Sequence, residues 1–168
     1  MSAKDEINDK ADPIADEEKL TRLLCSPLYY NKELGIVNID TFDLRMVGKN
    51  KDVPETYVSL GRCGFINTPE LIENYIQFAS NHIKWPQSNP KNKFTAFANF
   101  LCQKAKEIND IIEIHPLVGN DPKHIGLFYR KKDSTYYEGP LPKTDPEILE
   151  ILMDLTSIVE VEEVDKQK

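Results

Sequence analysis

Ile111-Ile112-Glu113-Ile114-His115 and Ile125-Gly126-Leu127-Phe128-Tyr129 are the two runs whose reading decides the fold. Both are short, rich in β-branched and aromatic residues, and bounded by turn formers, so they read as strands. Between them lie Pro116, Gly119 and Asn120-Asp121-Pro122, residues suited to turns. A hairpin with a long loop is the simplest connection.

Outward from this hairpin, the flanks read as helices. Downstream, Thr144-Asp145-Pro146-Glu147 is a start signal, with Thr144 as the hydroxyl cap and Glu147 reaching back to its amide. Ile148, Leu149, Leu152, Leu155 and Val159 then share one face. Upstream, Phe94, Phe97, Ala98, Leu101, Ala105 and Ile108 recur at three- and four-residue steps, which predicts an amphipathic helix. Thr68-Pro69-Glu70 opens another, carried on by Leu71, Ile72, Tyr75, Ile76, Ala79 and Ile83, with His82 offsetting the dipole near its end. Earlier still, Thr56 to Leu60 and Ile36 to Ile39 read as strands. Asp12-Pro13 reads as the opening of a short helix with Leu20, Leu23 and Leu24 on one face.

This order predicts an α+β fold, a small mixed or antiparallel sheet with about four helices. Residues 1–11 read as a disordered acidic tail, 12–159 as a single domain, and 160–168 as a second acidic tail. The run Ile158 to Val164 alternates like a strand. It suits either addition to a partner's sheet edge or continuation of the last helix.

Charge follows the same division. The chain carries −7 overall, with −4 in residues 1–20, −6 in residues 145–168 and +3 between them. Binding phosphates needs concentrated cations, so nucleic acid is an unlikely partner on bulk charge. No run approaches the ~18 apolar residues of a membrane span, and the first residues lack a secretory core segment. The expectation is a soluble, cytoplasmic protein with no cofactor. Cys25, Cys63 and Cys102 are scattered and odd in number, which suits reduced thiols rather than disulfides or zinc.

Candidates for chemistry are few. His115 and His124 flank the hairpin loop with Asp121 nearby, a residue set that can ligate metal, although the spacing carries no metal signature. Arg62 sits between Gly61 and Gly64, where close approach to a phosphate or carboxylate is possible. Cys63 has no base beside it in sequence. Phosphate-loop, nucleophile-elbow and zinc-protease motifs are missing. Lys91, Lys93, Lys104 and Lys106 flank Phe94, Phe97 and Phe100, and read as a wet face beside a core stripe. Tyr136-Tyr137, ahead of the proline-bearing Glu138-Gly139-Pro140-Leu141-Pro142, form a candidate protein interface.

Two stretches resemble a group of short uncharacterised prokaryotic proteins. Asp40-Thr41-Phe42-Asp43-Leu44, followed by Glu55-Thr56-Tyr57-Val58-Ser59-Leu60-Gly61-Arg62, is similar to that group's phenylalanine-bearing strand and its Leu-Ser-Val-x-Arg-like strand. Here Val58-Ser59-Leu60 stands in place of Leu-Ser-Val. His115-Pro116 and Asn120-Asp121-Pro122-Lys123-His124-Ile125 resemble the group's later positions. The resemblance implies a bacterial, cytosolic origin and brings Ser59, Arg62, Asn120 and His124 together as positions to compare.

The functional expectation is a non-catalytic protein-interaction or accessory module with a protein partner. The alternative is a small enzyme acting on a nucleotide or other anionic molecule, for example by ADP-ribosyl transfer. Arg62 would then hold the anion, with Ser59, His124 and Glu138 as polar or acid–base partners and His115 and Asn120 beside them. Nucleic-acid binding through the slightly basic middle is a further alternative.

Overall fold

A computed structural model describes residues 2–26, 28–48, 50–66, 69, 73, 93–119 and 121–164 of the chain. Its centre is a six-stranded antiparallel sheet. In chain order the strands are β1 (Lys19–Ser26), β6 (Val58–Arg62), β7 (Lys93–Leu101), β8 (Ile112–Pro116), β9 (His124–Tyr129) and β10 (Glu160–Glu163). They lie side by side as β10-β7-β1-β6-β9-β8. Two small hairpins, β2–β3 (Tyr30–Asn31, Ile36–Val37) and β4–β5 (Met46–Val47, Val53–Pro54), fill the stretch between β1 and β6, with a 3₁₀ turn at Ile39–Phe42 between them. The α+β class is as expected, and the sheet is antiparallel throughout.

Register fixes which residues share a face. Leu20, Leu24, Val58, Leu60, Ala96, Ala98, Phe100, Ile112, Ile114, Ile125, Leu127 and Tyr129 all point to one side. They are buried there with Phe42, Leu44 and Leu141. The last helix, Pro146–Ile158, packs Ile148, Ile151, Leu152 and Leu155 against the larger part of this set, while Leu24, Ala96 and Ala98 gather with Tyr29 and Tyr30. Its cap is Asp145, whose carboxylate accepts from the Glu147 amide at 3.0 Å, and not Thr144. An ionised acceptor next to Pro146 meets the dipole's positive end better than a hydroxyl one residue earlier.

Three expectations are corrected. The helix predicted from Phe94 to Ile108 is strand β7 followed by a short helix, Cys102–Lys106. Ala96, Phe97, Ala98 and Phe100 are all buried, so both faces of β7 are covered and both parities of its sequence are apolar. The helix predicted around Leu20, Leu23 and Leu24 is strand β1, paired along its length with β7. The N-terminus is ordered, not a disordered tail. Ala3–Glu6 form a helical turn, Ile7 bridges Leu117 beside β8, and Ala3 and Ile14 are buried. A few apolar anchors suffice to hold an otherwise charged segment onto an existing surface.

The run that opens at Glu160 is part of this chain's own sheet. Glu160 to Glu163 pair with Asn99 to Ala96 of β7. The helix expected from Thr68 to Ile83, with His82, lies outside the described residues apart from Pro69 and Glu73. Cys25 and Cys102 are buried and Cys63 half-buried, all three as free thiols. No described helix is long and apolar enough to cross a membrane.

Leu152 is fully buried where the last helix meets the sheet. Leu152→Ala should lower unfolding free energy by about 2–5 kcal/mol, read from a denaturant midpoint at unchanged slope.

Candidate functional site

The second face of the sheet carries the polar chemistry. In the antiparallel pairing of β6 with β9, Ser59 lies opposite Gly126, and Gly61 lies opposite His124. Ser59 and His124 are therefore diagonal neighbours on one face. The residue directly across from each is a glycine, so no side chain stands between them. Ser59 Oγ hydrogen-bonds His124 Nε2. A Cβ on Gly126 would meet Leu117, Phe128 and Tyr57 at 3.0 Å each, so those groups lie close against the glycine backbone. The Tyr57 ring, 6.2 Å from the imidazole and 5.5 Å from Phe128, walls this side of the pair.

Burial pushes the His124 pKa below its ordinary value. Asp121 opposes that shift, and the cations of Lys123 and Arg22 add to it. The imidazole is neutral at pH 7. In the tautomer with its proton on Nδ1, Nε2 accepts the Ser59 hydroxyl proton.

A groove of about 320 Å³ runs past His124, between the N-terminal segment and the β8–β9 loop. Asp12, Arg62, Leu117 and Asp121 line it with His124. Arg62 does not offer an open fork there. Glu18 takes its Nε at 2.5 Å and its Nη2 at 2.9 Å. Asp121 is matched by Lys123 Nζ at 3.0 Å to both oxygens.

His115 belongs to a different cluster on the same face. Its Nε2 meets Glu113 at 2.8 Å and its ring packs on Phe128 at 5.5 Å. Glu113 also accepts from the Arg130 guanidinium and, at 2.7 Å, from the Tyr136 hydroxyl. Burial alone would raise the Glu113 carboxyl. Hydrogen bonds from Arg130, His115 and Tyr136 reverse this and hold its pKa down to about 2. Burial first, and then the Glu113 carboxylate, push Tyr136 up to about 12.

The structure thus joins Ser59 to His124, brings Arg62 to the groove that passes His124, and places His115 in the Glu113 network. Asn120 lies outside the described residues. Tyr136 and Tyr137 are half-buried. The first is engaged by Glu113 and Arg130, and the second packs on the core beneath Lys131. Glu138 is exposed on the following loop, whose Gly139 amide donates to the Glu55 carbonyl. Among the described residues, no three His, Cys, Asp or Glu side chains are placed to hold a metal ion. Burial pushes all three thiols up to about 11, away from the reactive thiolate. Sequence reading missed Glu18 and Glu113, the carboxylates that neutralise Arg62 and Arg130. Gly61 and Gly126 inside strand patterns were the available signal for the close approach at Ser59 and His124. Comparison with known proteins finds no matching family model, curated protein or solved structure.

Glu113 binds its proton far less readily folded than unfolded, so its stabilisation is present above its ordinary value of 4.5 and fades as pH falls toward about 2. Glu113→Gln should flatten the stability profile across that window, measured by denaturant midpoints at several pH values.

Proposed function

We propose that the chain performs nucleophilic group transfer at Ser59, with His124 as the general base. The observation that carries this reading is the Ser59 Oγ–His124 Nε2 hydrogen bond to an imidazole kept neutral by its surroundings. Ser59 Oγ would attack the carbonyl carbon of an ester while its proton passes to Nε2. The bond to the leaving alkoxide then breaks, and the alkoxide takes that proton. Water, deprotonated by His124, releases the acid and restores Ser59. The groove supports an uncharged or cationic acyl donor over an anionic one. Glu18 already meets the Arg62 charge, and Asp12 and Asp121 add carboxylates.

A fluorophosphonate probe on the full chain should label Ser59, identified by peptide mass. Ser59→Ala should abolish labelling, and His124→Gln should slow it about 100-fold. Because the base form of His124 is the active one and its pKa is lowered, wild-type labelling should persist below the ordinary imidazole value of 6.5. A wild-type chain whose Ser59 stays unmodified would end this reading.

A docking module remains the second reading. Strand β10 favours it, because Glu160, Glu162 and Glu163 stand exposed on the outermost described strand. Such a strand suits a lysine-rich protein segment. The discriminating result is binding of a lysine-rich peptide that survives Ser59→Ala and is lost when these three glutamates become glutamine.

A further inference from the structure

The Ser59 carbonyl is held by a side chain from the other side of the sheet. Arg22 lies on β1 between Leu20 and Leu24, on the apolar face, and is only 3% exposed. The ladder between β1 and β6 runs through Leu20–Arg62 and Thr21–Gly61, and ends there. The next opposed residues would be Arg22 and Leu60. In place of a further ladder bond, the Arg22 guanidinium reaches across the gap. Its Nη1 donates to the Ser59 carbonyl at 3.0 Å, its Nε to the Thr41 carbonyl at 3.0 Å, and its Nη2 to the Tyr29 hydroxyl at 3.3 Å.

These acceptors are all neutral. A buried guanidinium held by neutral oxygens is a costly way to stabilise a sheet, and an apolar side chain would suit Leu20 and Leu24 better. The feature that only a cationic fork supplies here is a fixed position for the Ser59 peptide where the ladder has stopped, together with a permanent positive charge that opposes protonation of His124.

We propose that Arg22 is the positioning residue of the Ser59–His124 pair, holding the Ser59 peptide so that the hydroxyl meets Nε2. This rests on the reading of Ser59 as a nucleophile, but one part of its test does not. The groups around His124 are Ser59 and Tyr57 from β6, Lys123 and Asp121 from its own strand end and loop, and Arg22 from β1. Asp12 and the Arg62–Glu18 pair lie across the groove. Of the cations, Lys123 is matched by Asp121 and Arg62 by Glu18, whereas the Arg22 donors go to neutral oxygens.

Two variants of the full chain separate the hydrogen bond from the charge. Arg22→Gln removes the cation, and Arg22→Lys keeps it without the planar fork. The His124 imidazole is titrated by NMR in each, and fluorophosphonate labelling of Ser59 is followed across pH. In Arg22→Gln the titration midpoint should rise and the acid limb of labelling should move up with it. In Arg22→Lys the midpoint should stay near wild type, while the labelling rate on the plateau falls by up to about 100-fold. Folded variants with wild-type midpoints and wild-type labelling would overturn the proposal. If Arg22→Gln does not fold, Arg22→Lys decides by itself, since unchanged labelling there defeats the positioning role. If the wild type does not label at all, the nucleophile reading fails. The titration shift in Arg22→Gln, and its absence in Arg22→Lys, then still decides whether Arg22 governs His124.

Discussion

A guanidinium buried in the middle of an apolar sheet face is the constraint around which this structure is arranged. Taking such an ion out of water costs several kcal/mol even after the surroundings relax. Arg22 offsets that with three hydrogen bonds and with the Tyr29 ring, whose centroid lies 5.2 Å from its Cζ. Each bond reaches a different element: the 3₁₀ turn at Thr41, strand β6 at Ser59, and the segment after β1 at Tyr29. Arg45, 5.7 Å from the same ring and paired with Glu55, extends the cluster toward the β4–β5 hairpin. The apolar core accordingly divides in two. The larger part lies under the last helix, and the smaller gathers Leu24, Cys25, Tyr29, Tyr30, Ala96 and Ala98.

The two sheet faces answer to different physics. On one, burial of aliphatic and aromatic surface against Pro146–Ile158 dominates, and Tyr129 is tolerated because its hydroxyl reaches the Phe42 carbonyl at 2.6 Å. On the other, around β6, β8 and β9, half-buried ions and rings interleave. There the Arg130 guanidinium is met by Glu113, and at the end of β6 the Arg62 guanidinium is met by Glu18, which removes both as anion clamps. The contact between Ser59 and His124 stands apart from these pairs because neither partner is charged. That is the condition under which a hydroxyl proton can move to an imidazole without first breaking an ion pair.

Much of this fold was readable from residue order. The last helix announced itself through proline near its start and a clean apolar stripe. The strands at Ile112–Pro116 and His124–Tyr129 carried β-branched and aromatic runs with turn formers between them. Strands β1 and β7 were misread for a common reason. When both faces of a strand are covered, apolar residues occupy odd and even positions alike, and a three-and-four spacing can be picked out of the run by chance. Length did not correct the reading, because the short helix Cys102–Lys106 follows directly on Lys93–Leu101 and prolongs the apolar run. The Ser59–His124 contact was partly legible, because both residues stood among positions set aside for comparison. Arg22 was not. A lone arginine in an apolar stretch gives no hint that the strands part beside it.

The N-terminal strap has a bearing on how molecules of this protein meet each other. By bridging Ile7 to Leu117, with the Asn8 amide on the Pro116 carbonyl at 2.9 Å, it occupies the end of β8, where another chain could otherwise begin to pair. The opposite flank is guarded by electrostatic repulsion. Antiparallel growth there would set one copy's row of glutamates against the same row on its twin. Among the described strands, each margin thus carries a feature that works against runaway stacking of copies, a peptide laid over one corner and like charges along the other.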